Sequence, residues 1–395
     1  MINIIDESQC CGCGACSIVC PKQCIQMIPG TLGHLFPKVK EDICIACGKC
    51  EQVCPMKQQK RKQSFRQTAY AAYAKEPEIR FAGSSGGMFG TFSLQLLKDN
   101  YSVYGAAFDS NLQLKCMEAT EQSGLAILLK SKYLQSDLTN QYRKIKSNLE
   151  NGKKILFVST PCQVAALKSY LGKEYENLLT IDFFCHGVPS QQFFDQCIKI
   201  DSERLGGNIK KYQFRAKKRW GGVTPHYFLA EIELNGRCKK ITKIYYKSSF
   251  YAIFQKYINF RESCYKCQFA NADRLSDITI GDFHEIDRYI KGINRFDGIS
   301  TVIINSVKGE KLWKRCSKQI VQYPVDLSML ISDGICFNGG TKKPKNREEF
   351  IRDYNSKSFK ELIEKYAGVR KYWKQGIYYS MPKFLRKQFK KYIGT

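Results

Sequence analysis

The chain changes its pattern of apolar and polar positions twice. From Ala69 onward, short apolar runs of strand length alternate with stretches of helical period. The strands read from these runs are Tyr101–Phe108, Lys154–Ser159, Leu178–Phe183, Tyr227–Leu234, Asp277–Gly281 and Thr301–Asn305. Between them, Gly87–Lys98 carries Phe89, Phe92 and Leu96 at i, i+3 and i+7, and Val164–Leu171 and Gln191–Leu205 also read as helices. Strands alternating with helices predict an α/β domain. The last 55 residues are helical and amphipathic: Phe359, Leu362, Ile363 and Tyr366 share one stripe, and Leu385, Phe389, Tyr392 and Ile393 face away from Lys383, Arg386, Lys387 and Lys390. Such a segment either packs on its own domain or docks on a membrane surface or a partner.

The first 58 residues follow neither period, because their spacing is set by cysteine. Cys10-Cys11-Gly12-Cys13-Gly14-Ala15-Cys16-Ser17-Ile18-Val19-Cys20-Pro21 recurs as Cys44-Ile45-Ala46-Cys47-Gly48-Lys49-Cys50-Glu51-Gln52-Val53-Cys54-Pro55, offset by 34 residues. C-x2-C-x2-C-x3-C-P is the bacterial ferredoxin run, in which three close thiolates hold one [4Fe-4S] cluster and the fourth cysteine holds the other. By that rule the first cluster takes Cys10, Cys13, Cys16 and Cys54, and the second takes Cys44, Cys47, Cys50 and Cys20. Cys11 and Cys24 are left over as non-ligands. Structural zinc sites close a tetrahedron from paired C-x2-C halves, a different arrangement. A polar, basic, aperiodic stretch at 59–68 then reads as a linker.

Nineteen cysteines without an export signal point to metal binding in a reducing compartment rather than to disulfides. The start, Met1 to Glu7, has no basic n-region, and no apolar run approaches the ~20 residues of a membrane span. A cytoplasmic protein, peripheral at the membrane if its tail binds there, is expected. The formal charge of +27 falls to about +19 once three cluster dianions and one flavin diphosphate are counted. The excess is uneven: residues 1–58 hold 5 basic and 5 acidic side chains, whereas Gly340 to Thr395 hold 16 and 5, so the tail suits an anionic partner. Neither zinc-finger histidine spacing nor an RNP-like motif is present, which argues against nucleic acid. Neither G-x-G-x-x-G after a strand nor G-x-x-x-x-G-K-[ST] occurs, so a Rossmann nicotinamide site and a P-loop are unsupported.

Four further cysteines fall where strands give way to loops: Cys162, Cys185, Cys264 and Cys267. Their spacing alone fits a third cubane, a zinc site or buried free thiols equally well. Ser84-Ser85-Gly86-Gly87 lies where a helix begins, so it is either a phosphate cradle or a plain N-cap and turn. Asp282 ends a strand, either beside a ligand or capping a turn. His186 either donates a proton or holds structure, and Arg215 to Trp220 reads as a surface turn rather than a loop over the active site.

Gly83-Ser84-Ser85-Gly86-Gly87, Ser159-Thr160-Pro161-Cys162-Gln163, Cys185-His186-Gly187-Val188-Pro189-Ser190, Arg261-Glu262-Ser263-Cys264-Tyr265-Lys266-Cys267 and Ser276-Asp277-Ile278-Thr279-Ile280-Gly281-Asp282 occur in one order. Together, across Ala69 to Asn305, they resemble the coenzyme F-420 (deazaflavin) hydrogenase/dehydrogenase beta-subunit family. Its members include hydrogenase and formate dehydrogenase beta subunits, chlorophyll-pathway reductases and bacterial proteins of polysaccharide loci. The resemblance implies FAD beside a [4Fe-4S] cluster on Cys162, Cys185, Cys264 and Cys267. It also implies flavin contacts from Ser84, Ser85, Gly86, Gly87, Lys132, Gln135, Ser136 and Asp282, with His186 and Asp282 as catalytic candidates; a deazaflavin is a further possible ligand.

The expected architecture is an α+β ferredoxin-like two-cluster module, then an α/β flavin-binding domain with a mixed sheet over 69–339, and a basic helical tail over 340–395. The expected function is an iron–sulfur flavoprotein oxidoreductase. It would take electrons from an acidic carrier such as ferredoxin and pass them through the clusters to FAD, then to a substrate such as a polysaccharide-pathway compound. The alternative is an electron-transfer beta subunit that relays to a partner oxidoreductase subunit and has no substrate of its own.

Overall fold

The structure is a computed structural model and describes residues 1–58, 64–218, 222–283, 286, 289–293 and 297–368. Residues 1–58 form a small module. Strands β1 (Ile25–Pro29) and β2 (Leu35–Val39) pair antiparallel, and two short helices, Ala15–Val19 and Lys49–Gln52, begin just inside the two cysteine runs. The two helices start in equivalent places because Gly14 and Gly48 both take left-handed backbone at the N-cap, with φ of 75° and 72°. Local conformation thus repeats the sequence repeat.

The large domain is built on an eight-stranded mixed sheet. Its strands are β3 (Thr68–Ala74), β4 (Tyr101–Phe108), β5 (Leu114–Ala119), β6 (Lys154–Ser159), β7 (Leu178–Phe183), β11 (Ile278–Asp282), β12 (Ser300–Ile304) and β13 (Ile320–Val325). They are ordered β13-β3-β12-β11-β7-β6-β4-β5. The central strands β4, β6, β7 and β11 run parallel, and the outer pairings are antiparallel. A central strand buried on both faces reads as a continuous apolar run, and β6 shows why. Its Ile155 and Phe157 pack under helices Tyr142–Glu150 and Pro161–Leu171, while Leu156 and Val158 face Phe92 and Leu96 of helix Met88–Lys98 and Leu312 and Trp313 of helix Val307–Arg315.

The remaining strands, β8 (Asn208–Lys218), β9 (Gly222–Leu234) and β10 (Arg237–Ile244), form a separate antiparallel sheet. Its inner face is aromatic: Tyr212, Phe214 and Phe228 pack with Phe193 and Phe194 of helix Gln191–Leu205 and with Phe250 and Tyr251 of helix Ser249–Phe254. Onto the same core the helices Arg347–Ser356 and Phe359–Ala367 bring Phe350, Leu362, Ile363 and Tyr366. The first apolar stripe of the tail is therefore buried in its own domain. The second stripe, from Lys383 to Ile393, lies outside the described residues, as do residues 59–63 of the 59–68 linker.

Six strands and three helices expected from the pattern are present. Tyr101–Phe108, Lys154–Ser159, Leu178–Phe183 and Gln191–Leu205 keep their bounds, and the rest differ at their ends. One expectation fails: Arg215 to Lys218 is not a surface turn but the end of β8, with Arg215 buried. Arg219 and Trp220 lie outside the described residues. Among the described residues no helix is long and apolar enough to cross a membrane.

Candidate iron–sulfur and cofactor site

Cys20, Cys44, Cys47 and Cys50 line one cavity together with Cys24. Cys47 is exposed, whereas Cys20 and Cys50 are buried. Backbone N–H groups point at sulfur: Ile2 N donates to Cys50 Sγ at 3.3 Å and Gly12 N donates to Cys10 Sγ at 3.3 Å. Such bonds hold thiolates in place and tune iron–sulfur potentials. Cys24, assigned no ligand role, lies 3.4 Å from Cys20 Sγ and completes the wall of this cavity.

Cys162, Cys185, Cys264 and Cys267 come from three separate places. Cys162 opens helix Pro161–Leu171 after β6, Cys185 follows β7, and the last two occupy a short turn of helix, Glu262–Lys266, and its end. All four line one partly open cavity with Cys11, Met56, His186, Arg261 and Cys336. Burial and the neighbouring thiols push Cys185 well up, Cys264 to about 12 and Cys267 to about 11, so as free groups they would stay protonated. A metal centre replaces those protons. Among the described residues no three such side chains gather tightly enough to hold a single metal ion. Four thiols lining one cavity are a donor set that fits a cubane.

Sequence reasoning missed two cysteines of this cavity. Cys11 belongs to the ferredoxin run yet lines this cavity beside Cys162. Cys336 puts its Sγ 3.9 Å from His186 Nδ1 and 3.8 Å from Cys185 O. His186 itself stacks on Tyr257, with ring centroids 6.0 Å apart. Only the position of Cys11 inside a ligand loop hinted at its place.

The module is clasped against the large domain from several directions. Gln135 donates to Cys11 O at 2.7 Å, Tyr142 to Cys13 O at 2.9 Å, Arg143 to Ile18 O at 3.1 Å and Gln268 to Pro55 O at 3.1 Å. Ser190 donates to Leu32 O at 2.5 Å while its Oγ accepts from Phe193 N, capping helix Gln191–Leu205. Gly12 is essential here: its φ is 68°, and a Cβ would stand 2.3 Å from Arg261 Nη2.

The segment Ser84–Gly87 leads into helix Met88–Lys98 and is wedged between strands. Gly86 N donates to Ser300 Oγ at 3.0 Å, and Ala74 N donates to Gly86 O at 2.7 Å. Ser131 N donates to Ser84 Oγ at 2.7 Å, so the two segments assigned to flavin do meet. Cations converge on the same loop. Arg215 donates to Ser84 O at 2.9 Å and pairs with Asp282, while Lys217 donates to Ser85 O at 2.7 Å and Arg80 O at 2.6 Å. Lys130 donates to Phe81 O at 3.1 Å. Burial and mutual repulsion push Lys130 down to about 8 and Lys217 to about 7. The other residues assigned to flavin point elsewhere. Lys132 donates to the carbonyls of Ile127, Leu128 and Leu129, Gln135 serves the module, and Ser136 bonds Gln163 at 3.2 Å.

A two-domain α/β protein with cysteine-ringed cavities in the small module and at the domain seam is an iron–sulfur protein. Comparison with known families agrees: residues 3–60 match the 4Fe-4S dicluster domain, and residues 152–324 match the C-terminal part of the coenzyme F420 hydrogenase/dehydrogenase beta-subunit family. Residues 152–324 thus resemble the C-terminal part of that beta-subunit family, and a dicluster domain stands in front of them. The second match includes Cys162, Cys185, Cys264 and Cys267 of the seam cavity, whereas Cys11, Ser84–Gly87 and Ser131–Ser136 lie before it and Cys336 after it. Among solved structures, a chain in a xenon-derivatised F420-reducing [NiFe] hydrogenase complex from Methanosarcina barkeri is 18% identical, with a TM-score of 0.44 over 72% of this chain and 97% of that one. None of the curated proteins compared matches the chain.

Proposed function

We propose that the chain is an electron relay with three [4Fe-4S] clusters and one FAD, working with a separate oxidoreductase subunit. Electrons would arrive singly from a low-potential carrier of the ferredoxin type at the second cluster, where Cys47 is exposed, and leave in pairs from flavin. Flavin couples one-electron supply to two-electron chemistry. The observation that carries this reading is the seam cavity, which both the dicluster module and the large domain line with cysteine. Arg215, Lys217 and Lys130 supply positive charge beside the small-residue loop Ser84–Gly87, which suits a flavin diphosphate. His186 and Cys336 would stand next to the third cluster and limit water there.

Iron, sulfide and flavin content of anaerobically purified protein tests the assignment. About twelve iron atoms are expected, four per cubane, with one FAD; eight iron atoms and no flavin would overturn it. A reductase with its own small-molecule or polysaccharide-pathway substrate is the competing reading through the same cationic loop, because a phosphorylated substrate would also suit it. Turnover of a small molecule by the chain alone, with a low-potential dye, would favour that reading over the relay.

A further inference from the structure

Four arginines are buried among the described residues: Arg215, Arg261, Arg274 and Arg347. Three have a carboxylate. Arg215 pairs with Asp282, Arg274 with Asp182 and Arg347 with Glu262. Arg261, 1% exposed, has only neutral acceptors among the described residues: Gln135 Oε1 at 3.0 Å, Leu35 O at 2.9 Å and Cys10 O at 3.3 Å, with its guanidinium 4.6 Å from the centre of the Phe36 ring. A cation removed from water without a counter-charge is costly, so an anion at this place is expected.

Two sets of thiols flank it. Arg261 bonds the carbonyl of Cys10, a ligand of the first cluster, and it also lines the seam cavity with Cys162, Cys185, Cys264 and Cys267. Its charge acts on the Cys10 thiol from one side and on Cys162 and Cys264 from the other. Cys11, one residue along from Cys10, also lines the seam cavity.

We propose that Arg261 is the shared counter-charge of the first and third clusters, a positioning residue that raises both potentials together and keeps them matched across the seam. This rests on the third cluster of the proposed function. A fixed cation stabilises the more negative, reduced form of each neighbouring cluster, so its loss lowers both potentials. No bond forms or breaks in the step it serves. One electron leaves the first site and one arrives at the third.

The test is a redox titration of the cluster-loaded full chain followed by electron paramagnetic resonance. In Arg261→Gln the midpoints of the first and third clusters should fall together while that of the second stays. Arg261→Lys keeps the charge and should hold both near wild type. Gln135→Leu removes two bonds of the same clasp without removing charge, and should also leave both midpoints in place. Unmoved midpoints in R261Q, a uniform shift of all three clusters, or displaced midpoints in R261K or Q135L would overturn the role of Arg261. Should R261Q fail to load, the R261K and Q135L midpoints decide. A wild-type content of eight iron atoms would instead remove the third cluster itself.

Discussion

Replacing Arg215 by Met tests how the two sheets are held together. Arg215 lies on β8 of the three-stranded sheet, and its partner Asp282 ends β11 of the eight-stranded one. The pair is joined a second time through Nη2 and Oδ1 at 3.2 Å, and the same nitrogen bonds Ser84 O at 2.9 Å. Breaking a buried pair by removing one member costs about 3–5 kcal/mol. The Asp282 side chain is 27% exposed and regains some water, so the lower end applies; the lost bond to Ser84 adds about 1 kcal/mol. Arg215→Met should therefore destabilise the protein by about 3–4 kcal/mol. Asp282→Asn, which keeps a hydrogen-bonding oxygen, should cost about 2–3 kcal/mol. The double variant should be better than the sum by at least about 1 kcal/mol. Urea unfolding of anaerobic, equally metal-loaded samples measures all three. Additivity within about 0.5 kcal/mol, or an unchanged midpoint in R215M, would refute the coupling.

Other outcomes follow from the site. Cys162→Ser should lower iron from about twelve to about eight atoms while the visible spectrum of the dicluster module persists, measured by metal analysis and absorbance. Gly12→Ala forces a Cβ to 2.3 Å from Arg261 and 2.8 Å from Gln135; it should undock the module, seen as faster proteolysis between residues 58 and 64. His34 is buried between the carbonyls of Thr31 and Val188, and burial together with Arg261 pushes it down to about 3. Because the folded value lies below the unfolded one, stability is complete above about pH 6.5 and falls as pH drops toward 3, by about 1.4 kcal/mol per unit. Melting temperatures from pH 7 to 5.5 should therefore fall more steeply in wild type than in His34→Gln; parallel slopes would count against a neutral His34.

Much of the fold was legible because its central strands are apolar on both faces. β4, β6 and β7 stand out as continuous runs for that reason. Strands with weaker signatures were missed. β3 (TAYAAYA) buries mostly alanine, and β8 and β10 carry lysine and arginine on a half-exposed sheet, so their alternation looks like a charged loop. The four seam cysteines were found through ordered motifs, since spacing could not bring residues 162, 185 and 264 together. Lys132 and Gln135 illustrate the limit on site residues. Both lie in a segment that touches Ser84, but strand and turn geometry aims one at backbone carbonyls and the other at the module.

The clasp between module and large domain has a consequence for how such proteins can be assembled. Tyr142, Gln135, Arg261, Ser190 and Gln268 fix the module through its own backbone carbonyls, so its placement does not depend on the peptide that joins it to residue 64. Cut at that joint, the two pieces would still recognise each other, and a gene encoding one chain or two could build the same circuit.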